Sequence, residues 1–256
     1  MSNSPKVTER FSDRADAYVR GRPTYPSVVV EHLESIGALQ PGSTVVDVGV
    51  GTGLSSEPFL ARGHVVIGVE PNAPMRVAGE GYLRRYTNYR SVDGTAEATS
   101  LPDCCADLVI AGQAFHWFDV ARAAAEARRI LRTPGWAALM WNDRHATGSP
   151  FLSGYEALLH KHGNDYAKIA HRHIDTDAIT RFFAPAIPTT TLFEHARSLT
   201  RADLIALVRS ASYLPKAGTP QHDALIEDLD RLFEAEQRGG LIQIVYSTRV
   251  HHARLH

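Results

Sequence analysis

The sequence predicts an α/β protein built on a mostly parallel sheet, and three observations carry that expectation. Val45-Val46-Asp47-Val48 is a short apolar run that breaks at Gly49, Gly51 and Gly53. This is the pattern of a buried strand, Thr44 to Val48, turning tightly into a helix from about Leu54. About twenty residues on, Val65-Val66-Ile67-Gly68-Val69 forms a second such run and ends in an acid, Glu70. From there to Asn142 apolar runs alternate with amphipathic segments, an order that right-handed crossovers and a parallel sheet accommodate.

Taken in order, Val7 to Arg20 reads as a helix with Phe11, Ala15, Tyr18 and Val19 on one side. Gly21 and Pro23 stop it, and Pro26 opens a second helix whose stripe is Val29, Val30, Leu33 and Ile36. Gln40-Pro41-Gly42 turns into the first strand. After Glu70 a helix is expected from Pro71 to about Gly79, then a third strand near Tyr89 to Val92 and the loop Asp93-Gly94-Thr95-Ala96-Glu97. Ala106 to Ala111 reads as the fourth strand, Val120 to Leu131 as a helix, Arg132 to Gly135 as a turn, and Trp136 to Asn142 as the fifth strand.

Beyond Asp143, helices are expected at Tyr155 to His162, Thr176 to Phe183, Thr200 to Arg209 and Asp223 to Gln237. Strands are expected at Thr189 to Leu199 and Leu241 to Ala253, the latter with Ile244, Tyr246, Thr248 and Val250 on one face. No repeat, low-complexity tract or linker interrupts residues 1–256, so a single domain is expected.

Composition narrows the function classes. A formal net charge of −1 offers no basic field for nucleic acid or anionic membrane. No apolar run reaches the roughly 18 residues of a membrane helix, and MSNSPKVTERF lacks the apolar core of a secretion signal. Cys104 and Cys105 are adjacent, without zinc-ligand spacing or the look of a disulfide framework. His171 and His173, like His251 and His252, stand in no H-E-x-x-H frame. The expectation is a cytoplasmic protein with no metal, nucleic-acid or membrane partner.

The two opening strands also carry chemistry. Glycines let a ligand approach the backbone, and a helix start presents unpaired N–H groups. Glu70, at the carboxyl edge of the neighbouring strand, is placed to accept ribose hydroxyls. Leu54 breaks the nicotinamide fingerprint G-x-G-x-x-G, and the Lys-Ser/Thr of a phosphate loop is missing.

The arrangement of Asp47, Gly49, Gly51 and Gly53 followed by a strand ending in Glu70 resembles motif I and the acidic loop of class I S-adenosylmethionine-dependent methyltransferases. Val50 stands where alanine or cysteine is frequent, and Pro58 is expected to interrupt the first helix early. Phe11 to Pro26 and Gln113-Ala114-Phe115-His116-Trp117-Phe118 resemble the type 11, trans-aconitate-methyltransferase-like subfamily. The resemblance covers residues 8 to 143 well and the rest loosely.

It implies a Rossmann-like fold: a seven-stranded mostly parallel sheet with an antiparallel last strand, plus a helical lid. The lid would consist of the leader 1–38 and the insert 145–240 over a cofactor-binding core at 39–143. It further implies S-adenosyl-L-methionine as cofactor, S-adenosyl-L-homocysteine as product and a small-molecule acceptor, methylated more readily at oxygen than at nitrogen or carbon. The resemblance assigns the cofactor to Tyr18, Arg22, Asp47, Gly49, Val50, Gly51, Gly53, Glu70, Pro71, Met75, Thr95, Ala96, Glu97, Gln113, Ala114 and Phe115. It assigns the acceptor to Tyr25, His116, Trp117 and Tyr213, with His116 as the candidate general base, since imidazole ordinarily ionises near neutral pH. Two other readings of the scaffold stay open: a non-methylating rearrangement or cyclisation, and a non-catalytic cofactor-binding protein.

Overall fold

Seven strands form one sheet in the order β3-β2-β1-β4-β5-β7-β6. They are β1 Thr44–Val48, β2 Val65–Val69, β3 Tyr89–Val92, β4 Ala106–Gly112, β5 Leu131–Arg144, β6 Thr189–Leu199 and β7 Ile242–Arg254. This computed structural model describes residues 21–164, 166 and 175–256. The helix expected at Val7 to Arg20, and Tyr18 with it, lies outside the described residues.

The first five strands pair in parallel, with Val48 beside Val69, Val69 beside Val92, Asp47 beside Ile110 and Gly112 beside Met140. Strand β7 runs against β5: Leu255 N–H donates to Gly135 O (2.8 Å) and His145 N–H donates to Val245 O (2.9 Å). Numbering therefore rises on one strand as it falls on the other. The contacts of Thr190 with His251 and of His195 with Tyr246 give β6 the opposite direction to β7. The predicted architecture, with its antiparallel last strand, is the one observed.

The chain divides into two compact units. One comprises Thr24–Asn142, Ile174–Phe193 and Thr248–His256. Its parallel strands are β-branched and buried, with Val45, Val46, Val66 and Val69 fully enclosed, as expected where helices cover a sheet on both faces. Helix α1 (Ser27–Ser35) buries Val29, Val30 and Leu33. Helix α2 spans Glu57–Ala61 and helix α3 spans Ala73–Leu83. Helix α4 (Val120–Ile130) buries Ala123, Ala124 and Ala127. Helix α6 (Thr176–Phe183) buries Ile179, Phe182 and Phe183. Glu126 of α4 is drawn down to a pKa of about 2, first by Arg129 and then by the Thr99 hydroxyl and N–H.

The second unit comprises Asp143–His173, Glu194–Ser247 and the described part of Met1–Pro23. Helices α5 (Pro150–His162), α7 (Arg201–Ser210) and α8 (Pro220–Glu236) build its own core from Phe151, Leu152, Tyr155, Leu159, Leu204, Leu225 and Leu229.

At three of the boundaries that differ from expectation the reason is local. Helix α2 starts at Glu57 rather than near Leu54, because the hydroxyls of Ser55 and Ser56 bond Asp47 and Gly53 O accepts from both Ser56 and Glu57 N–H. Pro58 therefore sits in the first turn, where no intrahelical N–H is needed, and interrupts nothing. The expected turn at Arg132 to Gly135 is an irregularity inside β5: Ala106 pairs with Leu131, whereas Leu108 already pairs with Trp136. Helix α5 begins five residues before Tyr155, at Pro150, with the Ser149 hydroxyl accepting from Leu152 N–H at 3.1 Å.

Candidate active site

The parallel register brings the carboxyl ends of β2, β1 and β4 level, so the segments leaving them share one edge of the sheet unit. The turn after β1 is anchored there by two bonds, from Gly49 N–H (2.8 Å) and Val50 N–H (3.2 Å) to Val69 O. Gly49 has φ +70°, and a methyl built on it would stand 2.7 Å from the Ala114 Cβ. Close backbone approach is thus what joins the glycine turn to the segment after β4. Gly49→Ala is expected to destabilise the protein by about 1–3 kcal/mol, combining overpacking with left-handed strain. Urea unfolding measures this, and an unchanged midpoint would show that the turn can yield.

Glu70 follows β2 and is nearly buried, 9% exposed. Its Oε2 accepts from Gly51 N–H and its Oε1 from Asn72 N–H, both at 2.9 Å. Burial raises its pKa, opposed by those two N–H groups and by Arg76. The Arg76 guanidinium donates to Glu70 O (2.7 Å) and to Asp93 Oδ2 (3.3 Å), tying the ends of β2 and β3 together. The Asn72 side chain accepts from Met75 N–H at 3.0 Å and caps α3. The Met75 side chain is buried and comes up beside Gly51, while Pro71 is exposed.

Asp47 lies deeper, fully enclosed. Its Oδ2 accepts from Ser55 Oγ (2.6 Å) and Ser56 Oγ (2.7 Å), and its Oδ1 has no hydrogen-bond partner among the described residues. Desolvation pushes its pKa up to about 6 against the two hydroxyls, and Glu70 adds to the rise. Asp47 therefore carries the glycine turn through Ser55 and Ser56.

The loop after β3 bonds back on itself, Thr95 N–H to Ala98 O at 3.0 Å. It exposes Thr95, buries Ala96 and sends Glu97 to the start of α4, where its Oε1 accepts from Asp119 N–H at 2.8 Å. After β4, Gln113 takes φ +57°, and its N–H donates to Met140 O (2.9 Å) and its side-chain amide to Asn142 O (3.1 Å). A short 3-10 turn, Phe115–Trp117, follows. Phe115 is buried, with ring centroids 5.9 Å from Phe118, 6.1 Å from Trp141 and 5.5 Å from Phe182. His116 and Trp117 are exposed, with their rings 4.6 Å apart. Tyr25 is buried beside Gly112, its hydroxyl donating to Met140 O at 3.3 Å.

One edge of this unit thus collects Asp47, Gly49, Val50, Gly51, Gly53, Glu70, Met75, Gln113, Ala114, His116 and Trp117. Arg22 and Tyr213 belong to the second unit. There Arg197 donates to Gly21 O (2.8 Å) and Arg22 O (3.0 Å), and Tyr213 packs its ring 5.1 Å from that of Tyr166. Sequence reasoning missed Ser55, Ser56, Arg76 and Asn142. The serine pair that follows Gly53 and Leu54 was a readable signal, whereas Arg76 and Asn142 act through contacts that only folding creates. Among the described residues no three His, Cys, Asp or Glu side chains are grouped to hold a metal ion, and no helix is long and apolar enough to cross a membrane.

Residues 46–139 match the model of the type 11 family described as a methyltransferase domain. An uncharacterized methyltransferase of Mycobacterium tuberculosis is 37% identical over 134 residues, 52% of this chain and 52% of the relative. The chain therefore spans about half the length of that relative. An uncharacterized methyltransferase-like protein of Schizosaccharomyces pombe is 26% identical over 93% of this chain and 91% of its own. In fold, a provisional type II methyltransferase of Anaeromyxobacter dehalogenans superposes with a TM-score of 0.67 at 19% identity, covering 91% of this chain and 98% of its own.

Proposed function

The chain carries a type 11 methyltransferase domain of the class I, S-adenosylmethionine-dependent kind, and we propose from this premise that it methylates a small molecule at oxygen. The observation that carries the cofactor half of the reading is the Glu70 carboxylate, set beside the glycine turn by Gly51 and Asn72 N–H. Each oxygen keeps lone-pair capacity for a ribose hydroxyl. The turn presents backbone without Cβ at Gly51, where the nearest side-chain atom is the Met75 methyl, and the enclosed Asp47 adds negative charge beneath it. These features fit a nucleoside bearing a positive charge.

When bound, S-adenosyl-L-methionine supplies a methyl group on a sulfonium, open to in-line displacement. The residues of the chain then have three tasks. Glu70 and the glycine turn orient the nucleoside, and orientation alone can supply much of the acceleration. The exposed face of Trp117 borders the acceptor. His116 takes the proton from the acceptor hydroxyl. Acceptor choice falls to residues 1–38 and 145–240, the segments outside the cofactor half.

The experiment is incubation of the full chain with S-adenosyl-L-methionine and a panel of small hydroxylated and carboxylated compounds, with quantitation of S-adenosyl-L-homocysteine. Its formation together with a product heavier by one methyl group supports the reading. A rearranged acceptor with intact cofactor would replace it with non-methylating chemistry. With a hydroxyl acceptor in hand, His116→Gln is expected to lower kcat about 100-fold or more while leaving cofactor affinity unchanged. Unchanged kcat would remove His116 from proton transfer.

A further inference from the structure

His32 on α1, Thr191 on β6 and His252 on β7 converge within the sheet unit. The two Nε2 atoms are 3.1 Å apart, and Thr191 Oγ1 is 3.4 Å from His32 Nε2 and 3.3 Å from His252 Nε2. Two imidazole nitrogens and a hydroxyl oxygen thus form a nearly equilateral triangle.

The three contacts draw on the same few protons and lone pairs. A neutral imidazole nitrogen either donates one proton or accepts one. If one nitrogen donates and the other accepts, the hydroxyl completes two good bonds and the third close contact goes unused. If both donate to the hydroxyl, their protons face each other. A cation near the centre would meet all three lone pairs at once. Ligand atoms about 2.1 Å from one ion stand about 3.0 Å apart at a right angle and about 3.4 Å apart at the tetrahedral angle. The three separations fall inside that window.

The surroundings hold the donors in place. The His32 ring packs edge-on between Phe193 (5.4 Å) and His252 (5.0 Å), and Trp136 lies 6.4 Å from His252. His252 is 5% exposed, and its Nδ1 has no partner among the described residues, so its polar contacts run through Nε2. His251 takes no part, since its Nδ1 bonds Thr190 at 2.8 Å and its ring packs on Trp141.

We propose that His32, Thr191 and His252 form a binding site for a divalent first-row transition-metal ion, with Zn²⁺ or Ni²⁺ as occupants and water completing the coordination. Trp136, beside His252, pairs with Leu108 near the start of β4, whereas Gln113 follows its end. The ion is therefore a clip tying α1 to β6 and β7, remote from the proposed cofactor edge. Binding only to the folded chain, it stabilises by mass action.

The test uses the full chain, free of any affinity tag and stripped with EDTA, titrated calorimetrically with ZnCl₂ and separately with NiCl₂, with MgCl₂ as the comparison. One ion per chain at micromolar affinity, with a raised unfolding midpoint that EDTA reverses and no uptake of Mg²⁺, is the expected result. His32→Ala, on a helix, should weaken binding about 30-fold or more, and the near-isosteric Thr191→Val about 3- to 10-fold, with circular dichroism checking the fold of each. Absence of stoichiometric binding to the wild type, or equal affinity in both variants, would overturn the proposal.

Discussion

Glu70→Ala is expected to weaken binding of S-adenosyl-L-methionine and S-adenosyl-L-homocysteine by about 1.5–3 kcal/mol, roughly 10- to 150-fold. The loss has two sources. A charged acceptor of ribose hydroxyls disappears, and Gly51 and Asn72 N–H lose the carboxylate that now holds them. The second source also lowers fold stability, by about 1–3 kcal/mol per buried donor left unpaired. Glu70→Gln separates the two, because the amide keeps the size and one acceptor oxygen but not the charge. The expected order of affinity is wild type, then Gln, then Ala, by titration calorimetry alongside urea unfolding. Full affinity in the alanine variant would take Glu70 out of the cofactor site and undo the reading built on it.

Asp47→Asn is expected to alter stability in a pH-dependent way. Asp47 has a folded-state pKa of about 6 against a model-peptide value of 3.8, because burial disfavours its charge. A raised carboxylate pKa means that the folded state holds the proton more tightly than the unfolded chain. The resulting stability is complete below pH 3.8 and is lost as pH rises through 6. At pH 7.5 the ionised group therefore costs the wild type about 3 kcal/mol relative to acid. Asparagine does not titrate, and its carbonyl can still accept from Ser55 and Ser56. The stability difference between variant and wild type should therefore move in favour of asparagine by about 2 kcal/mol between pH 4.5 and pH 7.5. Urea unfolding at the two pH values measures it, and a constant difference would show that Asp47 is not strained by burial. Cofactor affinity should move the other way, since the variant removes the negative charge beneath the glycine turn.

The edge that joins the glycine turn to Glu70 was legible because its signals are local. Val45 to Gly53 encodes strand and turn in nine consecutive residues, and Glu70 is placed by the end of its own strand. Aligned parallel strands then bring them to one edge without further information. Pro58 misled because the first-turn position of a proline cannot be told from an interior one until the helix start is known, and that start depends on Asp47 bonding Ser55 and Ser56. Phe115 packs its ring against Phe118, Trp141 and Phe182, contacts that its position after β4 does not announce. Adjacency in sequence does not say which way a short 3-10 turn points each side chain.

What the sequence by itself determined is the α/β class, the parallel character of the first five strands, the final strand with Ile244, Tyr246, Thr248 and Val250 buried on one face, and the turn-and-acid pair. Hydrophobic periodicity and glycine placement are enough for these, since each depends on a few neighbouring residues. Only the tertiary structure decided that Arg76 braces Glu70 against Asp93, that Asn142 receives Gln113, and that His32 meets His252 across 220 positions of chain. Those pairings exist because packing burial selects the sheet order, and the sheet order then sets which distant polar atoms must satisfy one another.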